Sequence, residues 1–80
     1  MDIAIDYDGT YSVDTNLFHR LVNMMRHYGY QPFILTARPE ECADDIHEAV
    51  GDFMPIVCCK PGQWKRDAAK EHGYNPVFYI

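Results

Sequence analysis

Short apolar runs alternate with longer amphipathic segments along the whole chain. Four of these runs are rich in β-branched or aromatic residues, a composition that is typical of buried strands. They cover residues 3–5, 33–37, 55–59 and 77–80. The third run opens with Pro55, which is tolerated at the beginning of a strand because its missing N–H lies outside the ladder. The pattern therefore predicts four short buried strands.

The segment between the first two runs predicts a long helix. Residues 14–16 are Asp, Thr and Asn, side chains that commonly satisfy the free amides at a helix start, and Gly29 supplies the stop. One apolar stripe recurs at helical spacing. Its members are Leu17, Phe18, Leu21, Val22, Met25 and Tyr28. We expect this stripe to pack against the sheet.

Two further amphipathic segments predict shorter helices. The second helix is predicted from Pro39, with Glu40 and Glu41 near its positive end, to Gly51, a span of about eleven residues. Its expected inward face consists of Ala43, Ile46, His47, Ala49 and Val50. The third helix is predicted from about residue 63 to 72, before Gly73. Its expected inward residues are Trp64, Ala68 and Ala69.

The order β-α-β-α-β-α-β predicts an α/β fold. Strands that alternate with helices form a parallel sheet with right-handed crossovers and helices on both faces. We therefore expect one domain over residues 1–80, a Rossmann-like three-layer sandwich of four parallel strands in the order 4-1-2-3. In such sheets, ligands bind at the carboxyl ends of the strands.

Composition narrows the function classes. The net charge is −5, so the chain has no general attraction for nucleic-acid backbones or anionic membranes. No apolar run approaches the ~20 residues that span a bilayer. The cysteines, Cys42, Cys58 and Cys59, are odd in number and fit reduced thiols in the cytoplasm. Without C-x-x-C or H-x-x-x-H spacing, the sequence gives little support for a structural zinc site.

Polar side chains follow the strands at their predicted carboxyl ends. Asp6 and Asp8 come after the first strand, Thr36 lies at the end of the second, and Lys60 follows the third. Taken alone, two acids before a glycine are more typical of a solvated turn. Together, however, two carboxylates for Mg²⁺ and for acid–base work, a hydroxyl and an ammonium group make up the set that phosphoryl transfer requires.

The segment Asp6-Tyr7-Asp8-Gly9-Thr10 and the strand that ends in Thr36 resemble the first two motifs of the haloacid dehalogenase (HAD) superfamily. The resemblance implies a Mg²⁺-dependent phosphomonoester hydrolase that works through an aspartyl phosphate. It makes Asp6 the nucleophile and a metal ligand. It makes Asp8 the general acid and base, which also lends its carbonyl oxygen to the metal. Thr36 would hold the phosphoryl group. Tyr7, which points away from the acids, is expected in the core.

The segment Thr36-Ala37-Arg38 is similar to the second motif of small capless members of the superfamily. With Gly9 and Thr10 of the first turn, these three residues are the expected phosphate-binding set. Arg38 has alternatives: it forks onto a phosphate or a second acidic group of the substrate, caps the strand or pairs with Glu41. The catalytic lysine of the third motif is either Lys60 or Lys65, and we favour Lys65.

The absence of a cap insertion implies an open site. Open sites accept a phosphorylated small molecule or nucleotide, a polynucleotide end or a phosphoprotein, and the sequence does not select among these. The superfamily places further aspartates after the fourth strand, where this sequence ends at Ile80. We therefore expect either a chain that stops before the fourth motif or one that binds metal weakly. Without a fifth strand, the fourth is a free edge that allows self-association.

Two other functions use similar residues. A HAD-like module that binds a partner or a phosphate without turnover is the alternative to the enzyme. A response-regulator receiver also uses acids, a threonine and a lysine on a parallel sheet. Receivers, however, carry the phosphoacceptor aspartate on the third strand, which here ends in Cys58, Cys59 and Lys60. The receiver is therefore the weaker interpretation.

Overall fold

The computed structural model describes residues 1–80, and strands and helices alternate along them as the sequence predicts. The strands are β1 (Asp2–Ile5), β2 (Gln31–Thr36), β3 (Ile56–Cys58) and β4 (Pro76–Tyr79). The helices are α1 (Thr15–His27), α2 (Asp44–Val50) and α3 (Lys65–Glu71). Two 3-10 turns lie at Tyr11–Val13 and Glu40–Cys42. No helix of the chain has the length and apolar character that crossing a membrane requires.

The four strands form one parallel sheet in the order β3-β2-β1-β4, which confirms the predicted arrangement. β1 is central and pairs with β2 on one side and β4 on the other. Because all four strands run in the same direction, their carboxyl ends share one edge of the sheet. The side chains that follow β1, β2 and β3 are thereby gathered at that edge.

Helices cover both faces of the sheet, as predicted. Ile5 and Ile34 are fully buried on one face, where they belong to the core cluster that includes Val22 of α1 and Ile46 of α2. On the other face, Ala4, Phe33 and Leu35 pack in a second cluster with Ala68 and Ala69 of α3. The small alanines let α3 approach closely. The chain is therefore a three-layer α/β sandwich of the Rossmann-like type.

The start and end of α1 are close to those the sequence predicts, but its apolar stripe is narrower. Asp14 caps the helix by accepting a hydrogen bond from the Leu17 amide at 3.0 Å. Val22 is buried and Phe18 packs beside it, whereas Leu17 and Tyr28 are 50% and 71% exposed. A helix turns by about 100° per residue, so Leu17 sits on the flank of Phe18, and Tyr28 is already the capping residue.

The prediction of one continuous second helix is wrong. The 3-10 turn Glu40–Cys42 comes first, Ala43 leaves helical geometry, and α2 begins only at Asp44. Arg38 explains part of this break, because its guanidinium donates a hydrogen bond to the Cys42 carbonyl oxygen at 3.2 Å and holds the turn. His47 and Ala49 are exposed rather than inward-facing, since only the Ile46 side of this short helix meets the sheet.

Two expectations of burial near the end of the chain are also wrong. Trp64 is 75% exposed, because it is the extended residue just before α3 and its side chain is outside the helix–sheet contact. β4 is formed, but Val77, Phe78 and Tyr79 are 46% to 57% exposed. No element packs over these side chains, and an irregularity in the β1–β4 register leaves Val77 without a partner residue. Self-association through this edge stays a prediction.

Candidate active site

Asp6 lies directly at the carboxyl end of the central strand. Its amide donates a hydrogen bond to the Ile80 carbonyl oxygen at 2.7 Å, which continues the β1–β4 ladder by one residue and fixes the backbone. The Asp6 Oδ1 atom accepts a hydrogen bond from the Tyr7 amide at 2.9 Å. Tyr7 is buried in the core and stacks on Tyr11, as predicted. Gly9, with φ +74, then turns the chain away from the strand.

Lys65 is the lysine that reaches Asp6. Its Nζ atom lies 3.0 Å from Asp6 Oδ1, although 59 positions separate the two residues in the sequence. Lys65 is the first residue of α3, so the crossover that packs α3 on the sheet also delivers this ammonium to the end of β1. Both side chains are a little over one third exposed. Lys60, the other candidate, forms an ion pair with Glu71 at 2.8 Å instead.

A cavity of about 240 Å³ opens beside the Asp6–Lys65 pair. Its polar lining is Asp6, Thr10 and Lys65, and its apolar lining is Ala4, Leu35, Tyr79 and Ile80. The cavity thus presents one carboxylate, one hydroxyl and one ammonium group in an otherwise apolar wall. Such a wall strengthens electrostatic interactions with a bound anion because it lowers the local dielectric constant.

Asp8 is held by Arg38 in a two-point ion pair. The Nε and Nη2 atoms of Arg38 lie 2.9 Å and 2.5 Å from the two carboxylate oxygens of Asp8. The hydrogen bonds from Arg38 lower the pKa of Asp8, so this carboxylate is ionised at neutral pH. The Nη1 atom of Arg38 also contacts Asp45 at 2.6 Å and lowers the pKa of that residue. The expected alternative pairing with Glu41 is therefore wrong.

The remaining residues of the predicted phosphate-binding set come from the end of β2 and from the turn after β1. Thr36 is 1% exposed, and its Oγ1 atom accepts a hydrogen bond from the Arg38 amide at 3.2 Å, which leaves the hydroxyl hydrogen free to be donated. Ala37 is exposed beside it.

In the turn after β1, the Gly9 amide donates a hydrogen bond to Ser12 Oγ, and the Thr10 amide donates one to the Tyr7 carbonyl oxygen, each at 3.2 Å. These two amides are therefore engaged within the turn.

The donor set at the end of β1 fits a hard cation. Asp6 Oδ2 has no hydrogen-bond partner in the chain, whereas both carboxylate oxygens of Asp8 are held by Arg38. Mg²⁺ is commonly bound through one or two carboxylates, several waters and a substrate phosphate. Asp6 and Asp8 are therefore the residues of this edge that could hold Mg²⁺ together with a phosphorylated substrate.

Sequence reasoning missed Asp45 as the second partner of Arg38. Asp45 lies seven residues after Arg38, at a position where the sequence predicted the middle of a continuous helix. No spacing rule therefore indicated the contact. Three further residues, Glu40, His47 and Cys58, also converge near the end of β3. Their sequence spacing matches no metal-binding motif, so only the fold brings them together.

Comparisons with protein-family models, curated proteins and solved structures gave no match to this chain. The resemblance to the HAD superfamily stays a prediction. The functional argument therefore rests on the fold and on the contacts of the residues described above.

Proposed function

We propose that the chain hydrolyses phosphate monoesters, with Asp6 as the nucleophile and Mg²⁺ as the cofactor. The observation that carries the proposal is the contact of Asp6 with Lys65 beside a cavity, at the carboxyl end of the central strand. A lysine ammonium there offsets the repulsion between the Asp6 carboxylate and an incoming phosphate dianion. The same charge stabilises the oxygens on which negative charge collects in the transition state.

In the first step, an oxygen of Asp6 attacks phosphorus and the bond from phosphorus to the ester oxygen breaks. The leaving alkoxide takes a proton from the carboxylic acid of Asp8 and departs as the alcohol. Asp6 then carries the phosphoryl group as an acyl phosphate. Mg²⁺ would be held by the Asp6 carboxylate and the Asp8 carbonyl oxygen, and it would supply further positive charge for the phosphate oxygens.

In the second step, the Asp8 carboxylate takes a proton from a water molecule, whose oxygen attacks phosphorus. The bond between phosphorus and Asp6 breaks, which releases inorganic phosphate and restores the Asp6 carboxylate. Asp8 is protonated again at the end of this step. Protons and charge therefore balance over the two steps, and the net reaction is ester hydrolysis.

Arg38 must leave Asp8 for this cycle to run. While the guanidinium holds both Asp8 oxygens, the low pKa of Asp8 keeps it from acting as an acid. A substrate phosphate offers the guanidinium the same two-oxygen geometry with more negative charge. Transfer of Arg38 from Asp8 to the phosphate raises the pKa of Asp8 and couples substrate binding to the supply of the proton.

An open site extends the proposal to the substrate class. Arg38, Asp8 and Ala37 lie at the surface of the site, so nothing encloses the group attached to the phosphate. A nucleotide, a polynucleotide end or a phosphoprotein would fit, and the exposed Trp64 beside Lys65 offers a surface on which a base can stack. The free thiols of Cys42, Cys58 and Cys59 support a cytoplasmic setting.

The test is hydrolysis of p-nitrophenyl phosphate with and without Mg²⁺. The substitution Asp6→Asn keeps the size of the side chain and removes the nucleophile, so we expect kcat/KM to fall by at least about 1,000-fold. Asp52→Asn, at an exposed position in the α2–β3 loop, is the matched control and should retain full activity. Activity that survives Asp6→Asn would show that another group is the nucleophile.

A phosphate-binding module without turnover is the second candidate. The two-point hold of Arg38 on Asp8 favours it, because an ionised Asp8 cannot protonate a leaving group. The module would bind inorganic phosphate through Lys65 and Arg38. Phosphate binding measured by calorimetry, together with no Mg²⁺-dependent hydrolysis by the unsubstituted chain, would support this module over the enzyme.

A further inference from the structure

Three potential metal ligands of different chemistry meet near the end of β3. They are the carboxylate of Glu40, the imidazole of His47 and the thiol of Cys58, and their ligand atoms all lie within 4.8 Å of one another. Glu40 Oε1 and His47 Nε2 are 2.7 Å apart. Cys58 Sγ lies within 4.8 Å of both of these atoms. The donors therefore already face a common point.

We propose that Glu40, His47 and Cys58 form a second cation site, which binds a borderline-soft divalent cation of the Zn²⁺ class. This site is distinct from the Asp6 and Asp8 pair in both position and donor chemistry. It does not depend on the proposed phosphatase activity. It also revises the expectation from sequence spacing that a zinc site has little support.

The donor types select the metal. Thiolate and imidazole ligands suit Zn²⁺, whereas Mg²⁺ and Ca²⁺ prefer sites made only of oxygen atoms. Tetrahedral Zn²⁺ binds sulfur at about 2.3 Å and nitrogen or oxygen at about 2.1 Å, so neighbouring ligand atoms lie about 3.5 Å apart. Glu40 and His47 are 2.7 Å apart and no two of the donors are more than 4.8 Å apart, so their spacing is of the size that a common tetrahedral cation requires.

The fold holds the three ligands on separate, anchored elements. Cys58 is the last residue of β3 and is paired in register with Thr36, so its backbone is fixed by the sheet. His47 lies in α2, where its amide donates to the Ala43 carbonyl oxygen at 3.0 Å. Glu40 belongs to the 3-10 turn that follows β2. A site supported by a strand and a helix needs little ordering when the cation binds.

One coordination position stays accessible. The Glu40 and Cys58 side chains line a cavity of about 280 Å³ that opens to solvent beside Lys60. Cys58 is partly buried, whereas Glu40 and His47 are exposed to solvent. Three protein ligands and one open position are the arrangement of zinc sites that keep a water or an external ligand. The fourth ligand is therefore expected from solution.

Zn²⁺ titration by calorimetry and Co²⁺ absorption test the site on the full chain. Co²⁺ is the spectroscopic substitute for Zn²⁺, and a cysteine thiolate bound to it gives a charge-transfer band in the near ultraviolet. We expect one equivalent to bind and the band to form. Cys58→Ser should remove the band and weaken Zn²⁺ binding at least tenfold, and Glu40→Gln should weaken it as well, with circular dichroism as the check of folding.

Matched controls come from residues of the same type outside the cluster. Cys42→Ser and His27→Ala should leave the Co²⁺ band and the Zn²⁺ affinity unchanged, because both positions are exposed and outside the cluster. Asp6→Asn should also bind Zn²⁺ normally, whatever its effect on hydrolysis. Unchanged Zn²⁺ binding by both Cys58→Ser and Glu40→Gln would overturn the proposal, as would a Co²⁺ band that disappears in Cys42→Ser.

Discussion

The carboxyl ends of β1 and β3 lie on the same edge of one sheet but carry different chemistry. At β1, the Asp6 carboxylate is paired with Lys65 and the Asp8 carboxylate is paired with Arg38. At β3, Glu40, His47 and Cys58 contact one another and combine oxygen, nitrogen and sulfur donors. The proposed Mg²⁺ and phosphate site therefore lies on the same edge of the sheet as the proposed Zn²⁺ site.

The difference between the two ends follows from where their residues come from. The acids at β1 are two residues apart and follow directly on a strand, so one short segment places them. The donors at β3 come from a turn, a helix and a strand, so the crossovers must form before the donors meet. The β1 end also carries two cations, Lys65 and Arg38, that an anionic substrate can contact, although Asp6, Asp8 and Asp45 pair with them here. The donors of the β3 end include no fixed cation.

The largest expected effect comes from breaking the Asp6–Lys65 pair at the β1 end. Lys65→Ala removes the ammonium that stabilises the transferring phosphoryl group, so we expect kcat for phosphate ester hydrolysis to fall about 100-fold to 1,000-fold. Lys60→Ala is the matched control, because Lys60 pairs with Glu71 and should change kcat little. Steady-state kinetics at saturating Mg²⁺ checks both. A larger loss in Lys60→Ala than in Lys65→Ala would reverse the assignment.

A smaller effect sharpens the distinction between the two cation sites. Cys58→Ser should weaken Zn²⁺ binding tenfold or more, and yet change the Mg²⁺ concentration that gives half-maximal hydrolysis by less than about twofold. Asp6→Asn should do the reverse, because it removes a carboxylate ligand of the hard site only. Since this variant is expected not to turn over, its Mg²⁺ binding is measured directly by calorimetry, in parallel with Zn²⁺ calorimetry on both variants. A single variant that lowers both affinities equally would mean that the two ends share one site.

The smallest expected effect is on acid stability at the β1 end. Arg38 lowers the pKa of Asp8 and Asp45 in the folded chain, so these carboxylates stabilise it above their ordinary pKa of about 3.9. That stability is lost as pH falls below this value and through the folded pKa. Urea unfolding at pH 7 and pH 3 should therefore show that the free energy of unfolding changes less with pH in Arg38→Ala than in the unsubstituted chain.

Arg66→Ala is the control for this stability experiment. Arg66 is highly exposed and lies 3.8 Å from Asp67, a separation too long for a strong pair. The free energy of unfolding of Arg66→Ala should depend on pH as that of the unsubstituted chain does. If Arg38→Ala and Arg66→Ala behave alike, the ion pair between Arg38 and Asp8 does not persist in solution.

The alternation of strands and helices was predictable because β-branched runs indicate strands directly and helically spaced apolar residues indicate helices. As predicted, β1 ended just before Asp6, β2 ended at Thr36, and Tyr7 was buried. Burial at Trp64 and along β4 could not be predicted, since apolar character does not reveal whether a covering element exists. The break at Ala43 could not be predicted either, because the Arg38 side chain, which helps to hold the turn before it, reaches the Cys42 carbonyl oxygen only in the folded chain.

The candidate site was predictable in part for a similar reason. Asp6, Asp8 and Thr36 follow strands that the pattern identifies, so their common edge was expected. The choice between Lys60 and Lys65 depended on how α3 packs on the sheet, since that packing brings Lys65, its first residue, to Asp6. The sequence carries no spacing signal for side-chain contacts between separate elements. Two such contacts were therefore missed: the pairing of Asp45 with Arg38, and the cluster of Glu40, His47 and Cys58.

The most direct measurement for the central claim is the site of phosphoryl transfer to the chain. During turnover of a phosphate monoester with Mg²⁺, rapid acid quenching followed by mass spectrometry of the peptides should find one phosphoryl group on Asp6. The same experiment with Asp6→Asn should find none. A phosphoryl group on Asp8 or on any other residue, or rapid hydrolysis without a phosphorylated Asp6, would contradict the account.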